Sequence, residues 1–309
     1  MPIHRRLPKL RRMPDGISRI GFIGVGGIGR PMAERLAETG YELIVCDKRA
    51  DALRPFRHMA LETTARASDC ARADMVIVMV ADDAQAWSVV SGDAGLLHGI
   101  DPDRPPLVAI MSTILPETVR RIAASLATKN AQTVDAPVSG GAVRASRGEL
   151  SIIASGEAVP LAAMAPVFGS LGSRVFHCGV LGNGEAIKIL NNSVAVTIQL
   201  LMGELAVIAE GLGLDLELLV EVMEASSGRS FVTGDYEMQK AVLRRIISDP
   251  ALLRAHVDVC RKDLRLAQSL GIQQNVSSPL LDGVVASQRE VPYEDCGTRW
   301  RSLSQQTPQ

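Results

Sequence analysis

The residues best suited to chemistry in this sequence lie in segment 182–192, GNGEAIKILNN. If this segment is helical, Lys188, Asn191 and Asn192 stand at i, i+3 and i+4 and share one face. The rest of the helix is apolar, so these polar groups need partners or carry an uncompensated cost of burial. A partly desolvated ammonium group has a lowered pKa and can exchange a proton with a reacting hydroxyl. Lys188 is therefore our candidate general acid/base.

A second candidate site is the glycine-rich sequence IGFIGVGGIG at 20–29, which runs from an apolar strand into a helix. Gly24 permits a tight turn, Gly26 lets the backbone approach a pyrophosphate, and Gly29 lets helix and strand pack closely. The start of the helix offers free N–H groups and a positive dipole to the phosphates. The pattern therefore predicts a dinucleotide site. Its predicted cofactor-binding residues are Gly24, Gly26, Gly27, Ile28 and Gly29.

The cofactor type is indicated by Asp47, which ends the second predicted strand. A carboxylate at this position can accept hydrogen bonds from the adenosine ribose hydroxyls. It would repel a 2′-phosphate, so NAD is the predicted cofactor. Lys48 and Arg49 follow directly and weaken this preference, which leaves NADP as the alternative.

Two further segments are less specific. The sequence DAPVSGG at 135–141 follows a short predicted strand. A Ser-Gly-Gly loop there presents a hydroxyl and bare N–H groups, which suit a substrate carboxylate, although the tripeptide alone is more typical of an ordinary turn. The run RKDL at 261–264 indicates by itself only a charged, solvated helix face.

These candidates need an architecture that brings strand ends together. Between residues 17 and about 178, apolar β-branched runs alternate with helix-length segments, which predicts parallel strands and crossover helices. After residue 182 only helical patterns follow, beginning with the almost uniformly apolar 185–211. The predicted fold is an α/β Rossmann-type parallel-sheet domain, then an all-α C-terminal domain, joined by a long interdomain helix. Predicted strands cover 19–24, 42–47, 75–80, 107–111, 133–135, 151–154 and 174–177.

The domain boundaries expected from this pattern are 17–180 for the dinucleotide-binding domain and 181–309 for the helical domain, after a basic arm at 1–16. A length of 309 residues exceeds one ordinary hydrophobic core. The net charge of −1 argues against a nucleic-acid or anionic-membrane partner. The longest apolar stretch, 193–203, is too short to span a bilayer. We expect a protein without a membrane partner.

The cysteine content indicates the compartment. Five scattered cysteines without a CxxC spacing predict reduced thiols in a cytoplasmic enzyme. No metal site is predicted. The long apolar helix carries more hydrophobic surface than one monomer of this size needs, so we expect a homodimer or homotetramer.

In its motifs the chain resembles the β-hydroxyacid dehydrogenases, the group of 3-hydroxyisobutyrate dehydrogenase, tartronate semialdehyde reductase and L-threonate dehydrogenase. The resemblance implies that Lys188 is the catalytic acid/base and that Asn192 helps to hold it and the substrate hydroxyl. The substrate is then a small hydroxy acid or semialdehyde. The matching motifs are GFIGVGGIGRPMA at 21–33, MST at 111–113, DAPVSGG at 135–141, GNGEAIKILNN at 182–192 and KDL at 262–264.

The resemblance also assigns the remaining site residues. Where relatives carry Met-Leu-Pro near the nicotinamide ribose, this chain has the different sequence 79–83, and segment 292–297 also departs from the common pattern, which leaves the substrate open. The substrate-binding residues it implies are Ser139, Gly140, Gly141, Asn191 and Ser230. The additional cofactor-binding residues it implies are Val80, Ala81, Gln85, Thr113 and Lys262.

Three alternatives share parts of this pattern. Imine reductases have the same architecture but usually replace the catalytic lysine, and Lys188 is present here. A decarboxylating sugar-acid dehydrogenase shares the Lys-xxx-Asn spacing but usually has a much larger helical domain. A dinucleotide-sensing scaffold would not need the intact Lys188 and Asn192.

Overall fold

The computed structural model describes residues 16–59 and 61–305 of the chain. The predicted basic arm at 1–16 lies outside the described residues except for Gly16. The chain forms two compact units, which divide after Lys188. The sequence placed this boundary near residue 180, whereas the division falls inside the helix that follows.

Unit 1 is built on a six-stranded parallel sheet with strand order β3-β2-β1-β4-β5-β6. The order reverses between β1 and β4, which opens a crevice at the carboxyl ends of the strands, where ligands bind in folds of this kind. The Rossmann-type prediction is confirmed. The strands are β1 (Arg19–Ile23), β2 (Glu42–Cys46), β3 (Glu62–Thr64), β4 (Met75–Val78), β5 (Leu107–Ile110) and β6 (Thr133–Asp135).

Helices cover both faces of this sheet, so its central strands are buried on both sides. One face packs around Phe22, Phe56 and Phe168, which are almost fully buried. Helix 50–58 was not predicted, because Pro55 in its interior interrupts the helical pattern. The helices of unit 1 are α1 (Gly29–Glu38), α2 (Ala50–His58), α3 (Asp83–Ser91), α4 (Pro116–Ala127), α5 (Gly141–Arg147) and α6 (Ala158–Leu171).

A second, three-stranded sheet completes unit 1, with strands β7 (Val138–Ser139), β8 (Leu150–Ala154) and β9 (Gly172–His177). Strand β8 pairs in parallel with β9 and antiparallel with β7. The predicted strands 151–154 and 174–177 are therefore present, but they lie outside the six-stranded sheet. An isolated bridge between Asp135 and Ser155 connects the ends of β6 and β8.

The described residues of unit 2 contain helices and no strand, so the all-α prediction is confirmed. Its core packs around the buried Trp300, Val257 and Ala206. Three helices begin at aspartates whose carboxylates accept backbone N–H bonds, as helix N-caps do. Helix α7 (Asn183–Gly211) begins in unit 1 and continues into unit 2. It is followed by α8 (Leu216–Glu224), α9 (Tyr236–Ile247), α10 (Pro250–Gln273), α11 (Pro279–Glu290) and α12 (Tyr293–Ser304).

Two features of unit 2 differ from the sequence analysis. After the long apolar helix, the sequence predicts helices at 216–225, 236–247, 256–270 and 279–289 but none over α12, although Trp300 and Leu303 of α12 belong to the core. Among the described residues, α7 is long and apolar enough to cross a membrane by length and composition alone, whereas the apolar stretch predicted from the sequence, 193–203, is too short.

Candidate active site

The glycine loop lies between the carboxyl end of β1 and the start of α1, at the point where the strand order reverses. Gly24 has a φ of +95°, and a Cβ there would lie 2.2 Å from the carbonyl oxygen of Met79. A Cβ on Gly29 would lie 2.1 Å from the carbonyl oxygen of Gly24. Both positions therefore require glycine for the turn and for close packing.

The middle of the same loop is open. A Cβ on Gly26 or Gly27 would meet no heavy atom within 4 Å, and Ile28 is the residue before the first helical turn. Packing of the protein therefore does not explain these two glycines, but the close approach of a pyrophosphate does. The loop fits the dinucleotide that the sequence predicts.

Asp47 lies against this loop. Its buried carboxylate accepts the N–H of Val25 through Oδ2 at 3.1 Å. Its Oδ1 accepts the backbone N–H of Arg49 at 2.9 Å and lies 3.3 Å from the Nε of the same residue. The acid predicted to bind the ribose thus also supports the glycine loop, and a partly exposed guanidinium lies beside it.

The predicted nicotinamide-side residues follow the carboxyl ends of β4 and β5, on the same edge of the sheet as the glycine loop. The N–H of Val80 donates to Ser112 Oγ at 2.7 Å, an interaction that the sequence analysis missed. Gln85 donates its side-chain amide to Asp82, 3.0 Å away, at the start of α3. Ala81 is exposed and Thr113 is half-buried.

The predicted carboxylate-binding loop connects β7 to α5. Ser139 ends β7, and the next two residues have positive φ angles, +137° at Gly140 and +71° at Gly141. Both glycines are exposed, and a Cβ on Gly141 would meet nothing within 4 Å. The loop thus presents open backbone beside a half-buried hydroxyl.

Lys188 lies in the second turn of α7 and is only 5% exposed. The first turn of this helix is buried against the end of β6. There the fully buried Asp135 accepts the N–H groups of Gly182 and Glu185 at 2.8 and 2.9 Å. In the sequence, Asp135 is the first residue of the motif DAPVSGG, and its contact with the helix was not predicted.

In unit 2, Asn192 and Lys262 meet at one buried carboxylate. The Nδ2 of Asn192 donates to Asp263 Oδ2 at 2.7 Å, and Lys262 Nζ lies 3.0 Å from Asp263 Oδ1. Asp263 is 3% exposed, so the solvated-face interpretation of 261–264 is wrong for this residue. Its spacing from the buried Cys260 and Ala267 was the available signal.

The other two predicted residues of unit 2 lie apart from this carboxylate. Asn191 is exposed, and its Nδ2 lies 3.4 Å from the Oδ1 of Asn192. Ser230 lies in the turn before α9, where its Oγ accepts the N–H of Val232 at 3.3 Å and its own N–H donates to Thr233 at 2.8 Å. Ser230 is thus held by its own turn.

The structure also bears on the predictions about cysteines and metal ions. None of the five cysteines forms a disulfide. Among the residues that the structure describes, no group of three or more His, Cys, Asp and Glu could hold a metal ion.

Sequence families match both units. The family described as the NAD binding domain of 6-phosphogluconate dehydrogenase matches residues 19–179. The family described as the NAD-binding region of NADP-dependent 3-hydroxyisobutyrate dehydrogenase matches residues 182–293. The human mitochondrial 3-hydroxyisobutyrate dehydrogenase is 32% identical over 271 residues, which cover 87% of this chain and 80% of the human protein. The chain belongs to the β-hydroxyacid dehydrogenase family.

Other members extend the comparison. An uncharacterised oxidoreductase of Mycobacterium tuberculosis is 34% identical over 264 residues, 85% of this chain and 89% of that protein. The crystal structure of 3-hydroxyisobutyrate dehydrogenase from Salmonella typhimurium superposes with a TM-score of 0.77 at 26% identity, covering 92% of this chain and 99% of that one. Family membership makes the protein an NAD(P)-binding oxidoreductase, and NAD or NADP is its cofactor.

The two kinds of glycine in the loop predict opposite effects of alanine. Gly29→Ala forces a Cβ against a backbone oxygen and should lower the free energy of unfolding by about 1–3 kcal/mol or more. Gly26→Ala meets open space, so stability should change by less than about 0.5 kcal/mol. Its dinucleotide Kd should nevertheless rise about tenfold, the effect of losing about 1.4 kcal/mol of binding. Urea unfolding and titration calorimetry measure both quantities, and equal Kd values for wild type and Gly26→Ala would contradict this interpretation.

Burial of Asp135 predicts a pH effect on stability. Desolvation raises the pKa of this carboxyl above its ordinary value of 3.8, against the opposing effect of its hydrogen bonds. Between pH about 4 and that raised pKa, the native state therefore binds more protons than the unfolded state. The contribution of Asp135 to the free energy of unfolding consequently decreases as the pH rises through this range. Urea titrations measure the free energy of unfolding of the wild type and of Asp135→Asn. We expect the wild-type value, relative to that of the variant, to decrease from pH 4 to pH 7. A constant difference would show that the pKa is not raised.

Proposed function

We propose that this protein is an NAD(P)-dependent hydroxyacid dehydrogenase that interconverts a small β-hydroxy acid and its semialdehyde or ketone. When bound, the nicotinamide accepts or supplies the hydride at the hydroxyl-bearing carbon. Lys188 takes the hydroxyl proton during oxidation and returns it during reduction. The observation that carries the proposal is the burial of Lys188 in unit 1, the unit that holds the glycine loop.

The remaining residues have supporting roles in this proposal. The exposed backbone of Gly140 and Gly141, with the hydroxyl of Ser139, suits a substrate carboxylate. The Nδ2 of Asn192 is bound to Asp263, and its Oδ1, which accepts a long bond from Asn191, can accept a second one from the substrate hydroxyl. Asn191 and Ser230 stay predicted substrate contacts. Val80, Ala81, Gln85, Thr113 and Lys262 stay predicted cofactor contacts.

We also propose NAD as the preferred cofactor. The carboxylate of Asp47 lies beside the glycine loop, where it would attract ribose hydroxyls and repel a 2′-phosphate. Arg49, bonded to the same carboxylate, partly offsets this repulsion, so NADP should be used with a higher KM. We also propose a cytoplasmic location, where cysteines without a disulfide stay reduced.

The proposal is tested by following cofactor absorbance with 3-hydroxyisobutyrate, glycerate, tartronate semialdehyde, threonate and serine, each with NAD and NADP. We expect Lys188→Met to lower kcat by about 10²–10⁴-fold, the usual contribution of general acid/base catalysis. The dinucleotide Kd should stay nearly unchanged. Lys240→Met is the matched control, because this lysine is equally buried but lies in unit 2, paired with Glu217 and Glu237.

The possible results separate the alternatives. An unchanged kcat in Lys188→Met would refute the acid/base assignment. Release of CO₂ during turnover would favour a decarboxylating sugar-acid dehydrogenase, and reduction of imines but not carbonyls would favour an imine reductase. Cofactor binding without turnover on any substrate would favour a dinucleotide-sensing scaffold.

We propose a homodimer or homotetramer assembled through α7. Only 28% of the apolar window of this helix is buried within the chain. Leu190, Val194, Leu201 and Ile208 are each at least half exposed and are spaced by four and seven residues, which places them along one face. The same helix packs into the core of unit 2 through Ala206, so a second copy of the chain fits this face better than a bilayer does.

Sedimentation velocity at micromolar concentration tests the assembly. We expect the wild type to sediment as a dimer or tetramer and Leu201→Glu combined with Ile208→Glu to sediment as a monomer, because two charges would be buried in the interface. Val159→Glu changes a more exposed apolar residue of unit 1, away from α7, and should leave the oligomer intact. A monomeric wild type would refute the proposal.

A further inference from the structure

The carboxylate of Asp135 is completely surrounded by protein at the start of α7. Its Oδ1 accepts the N–H of Gly182 at 2.8 Å and the hydroxyl of Ser155, and its Oδ2 accepts the N–H of Glu185 at 2.9 Å. Both Asp135 and Ser155 are 0% exposed. A single side chain at the end of β6 therefore binds three donors, two of them backbone N–H groups at the helix start.

Ser155 extends this arrangement to the next residue of the helix. Its Oγ accepts the N–H of Gly184 at 2.9 Å while its hydroxyl donates to Asp135. A Cβ on Gly184 would lie 2.3 Å from the carbonyl oxygen of Ile153 and 2.8 Å from Asp135 Oδ2. The second glycine of the GNG sequence is therefore explained by contact between the helix start and β8.

A third connection reaches the loop after β5. The side chain of Glu185 is fully buried, and its Oε2 accepts the N–H of Ile114 at 3.2 Å. Ile114 follows Thr113, a predicted cofactor contact at the carboxyl edge of the sheet. The first turn of α7 is thus bonded to the ends of β6 and β8 and to the loop after β5.

We propose that Asp135, acting through Ser155 and the first turn of α7, is the positioning residue that sets where Lys188 stands at the carboxyl edge of the sheet. Lys188 is three residues after Glu185, a rise of about 4.5 Å along the helix. Any shift or rotation of the first turn is therefore passed to the lysine. Misplacement of a reacting group by about 1 Å can reduce turnover about 100-fold. This proposal rests on the proposed function of Lys188.

The required chemistry is that of a carboxylate. All three donors point at the two oxygens of Asp135, and an ionised carboxyl group accepts at both. Asp135→Asn replaces one acceptor with an NH₂ group, which would face an N–H or O–H donor. The substitution keeps the side-chain volume while removing at least one of the bonds that hold α7.

Asp74 offers a matched control in the same unit. Its Oδ2 also accepts three donors, the N–H and hydroxyl of Ser18 and the N–H of Arg19, at 2.8–3.1 Å. These bonds lie at the amino ends of β1 and β4, the opposite edge of the sheet from the glycine loop. Asp74→Asn therefore perturbs a carboxylate that also accepts three donors, at an exposed position and without touching α7.

The test compares wild type, Asp135→Asn, Ser155→Ala and Asp74→Asn in the full chain with bound dinucleotide, at a temperature where urea titrations show each to be folded. We expect kcat to fall about tenfold or more in Asp135→Asn and less in Ser155→Ala, with dinucleotide Kd and substrate KM changed less than about threefold. Hydrogen exchange of the amides at 186–190 should accelerate about tenfold in the same two variants. Asp74→Asn should match wild type in kcat and in exchange of this segment.

Specific outcomes would overturn the proposal. The first is that kcat falls no more in Asp135→Asn and Ser155→Ala than it does in Asp74→Asn. The second is that hydrogen exchange of the amides at 186–190 is unchanged in Asp135→Asn and Ser155→Ala. If Asp135→Asn does not fold, Ser155→Ala decides the question by the same two measurements. Absence of wild-type turnover on every substrate would refute the proposed function instead, and hydrogen exchange would still decide whether Asp135 holds α7.

Discussion

Where the start of a helix is buried, its backbone N–H groups must find acceptors inside the protein, and at the start of α7 this need determines the surrounding structure. The carboxylate of Asp135 meets it from the end of β6, with Ser155 beside it. Burial of a charged group is costly, so it persists only where several donors surround it. The result is a rigid connection between the sheet and the helix that carries Lys188.

The same edge of the sheet depends on close backbone approach. Gly24 and Gly29 allow the β1–α1 turn to close, and Asp47 then bonds to Val25 within that turn. The acid therefore has a structural role in addition to its predicted contact with ribose. Cofactor loop and lysine-bearing helix start are both set by hydrogen bonds to aspartates at strand ends.

How far the sequence predicts the structure differs between elements. The strands that were predicted in the six-stranded sheet contain apolar β-branched runs, which are typical of buried strands. The helices that were predicted in unit 2 have apolar residues at a regular helical period. The helix at 50–58 was missed because Pro55 interrupts its pattern. The helix at 293–304 was missed although its buried Cys296, Trp300 and Leu303 follow a helical spacing of four and three residues. Asp263 was missed because a charged residue on a helix is usually solvated, and its partners Asn192 and Lys262 explain its burial.

The sequence by itself determined the family, the fold class, the dinucleotide loop and the candidate lysine, because each depends on residue types at short, fixed spacing. The tertiary structure decided which groups support them. Asp135, Ser155 and the start of α7 are brought together from segments 20 to 50 residues apart, as are Asn192 and Asp263 from segments 71 residues apart. Local pattern carries no record of such pairings, because they arise only when separate elements pack and their buried polar groups must be satisfied.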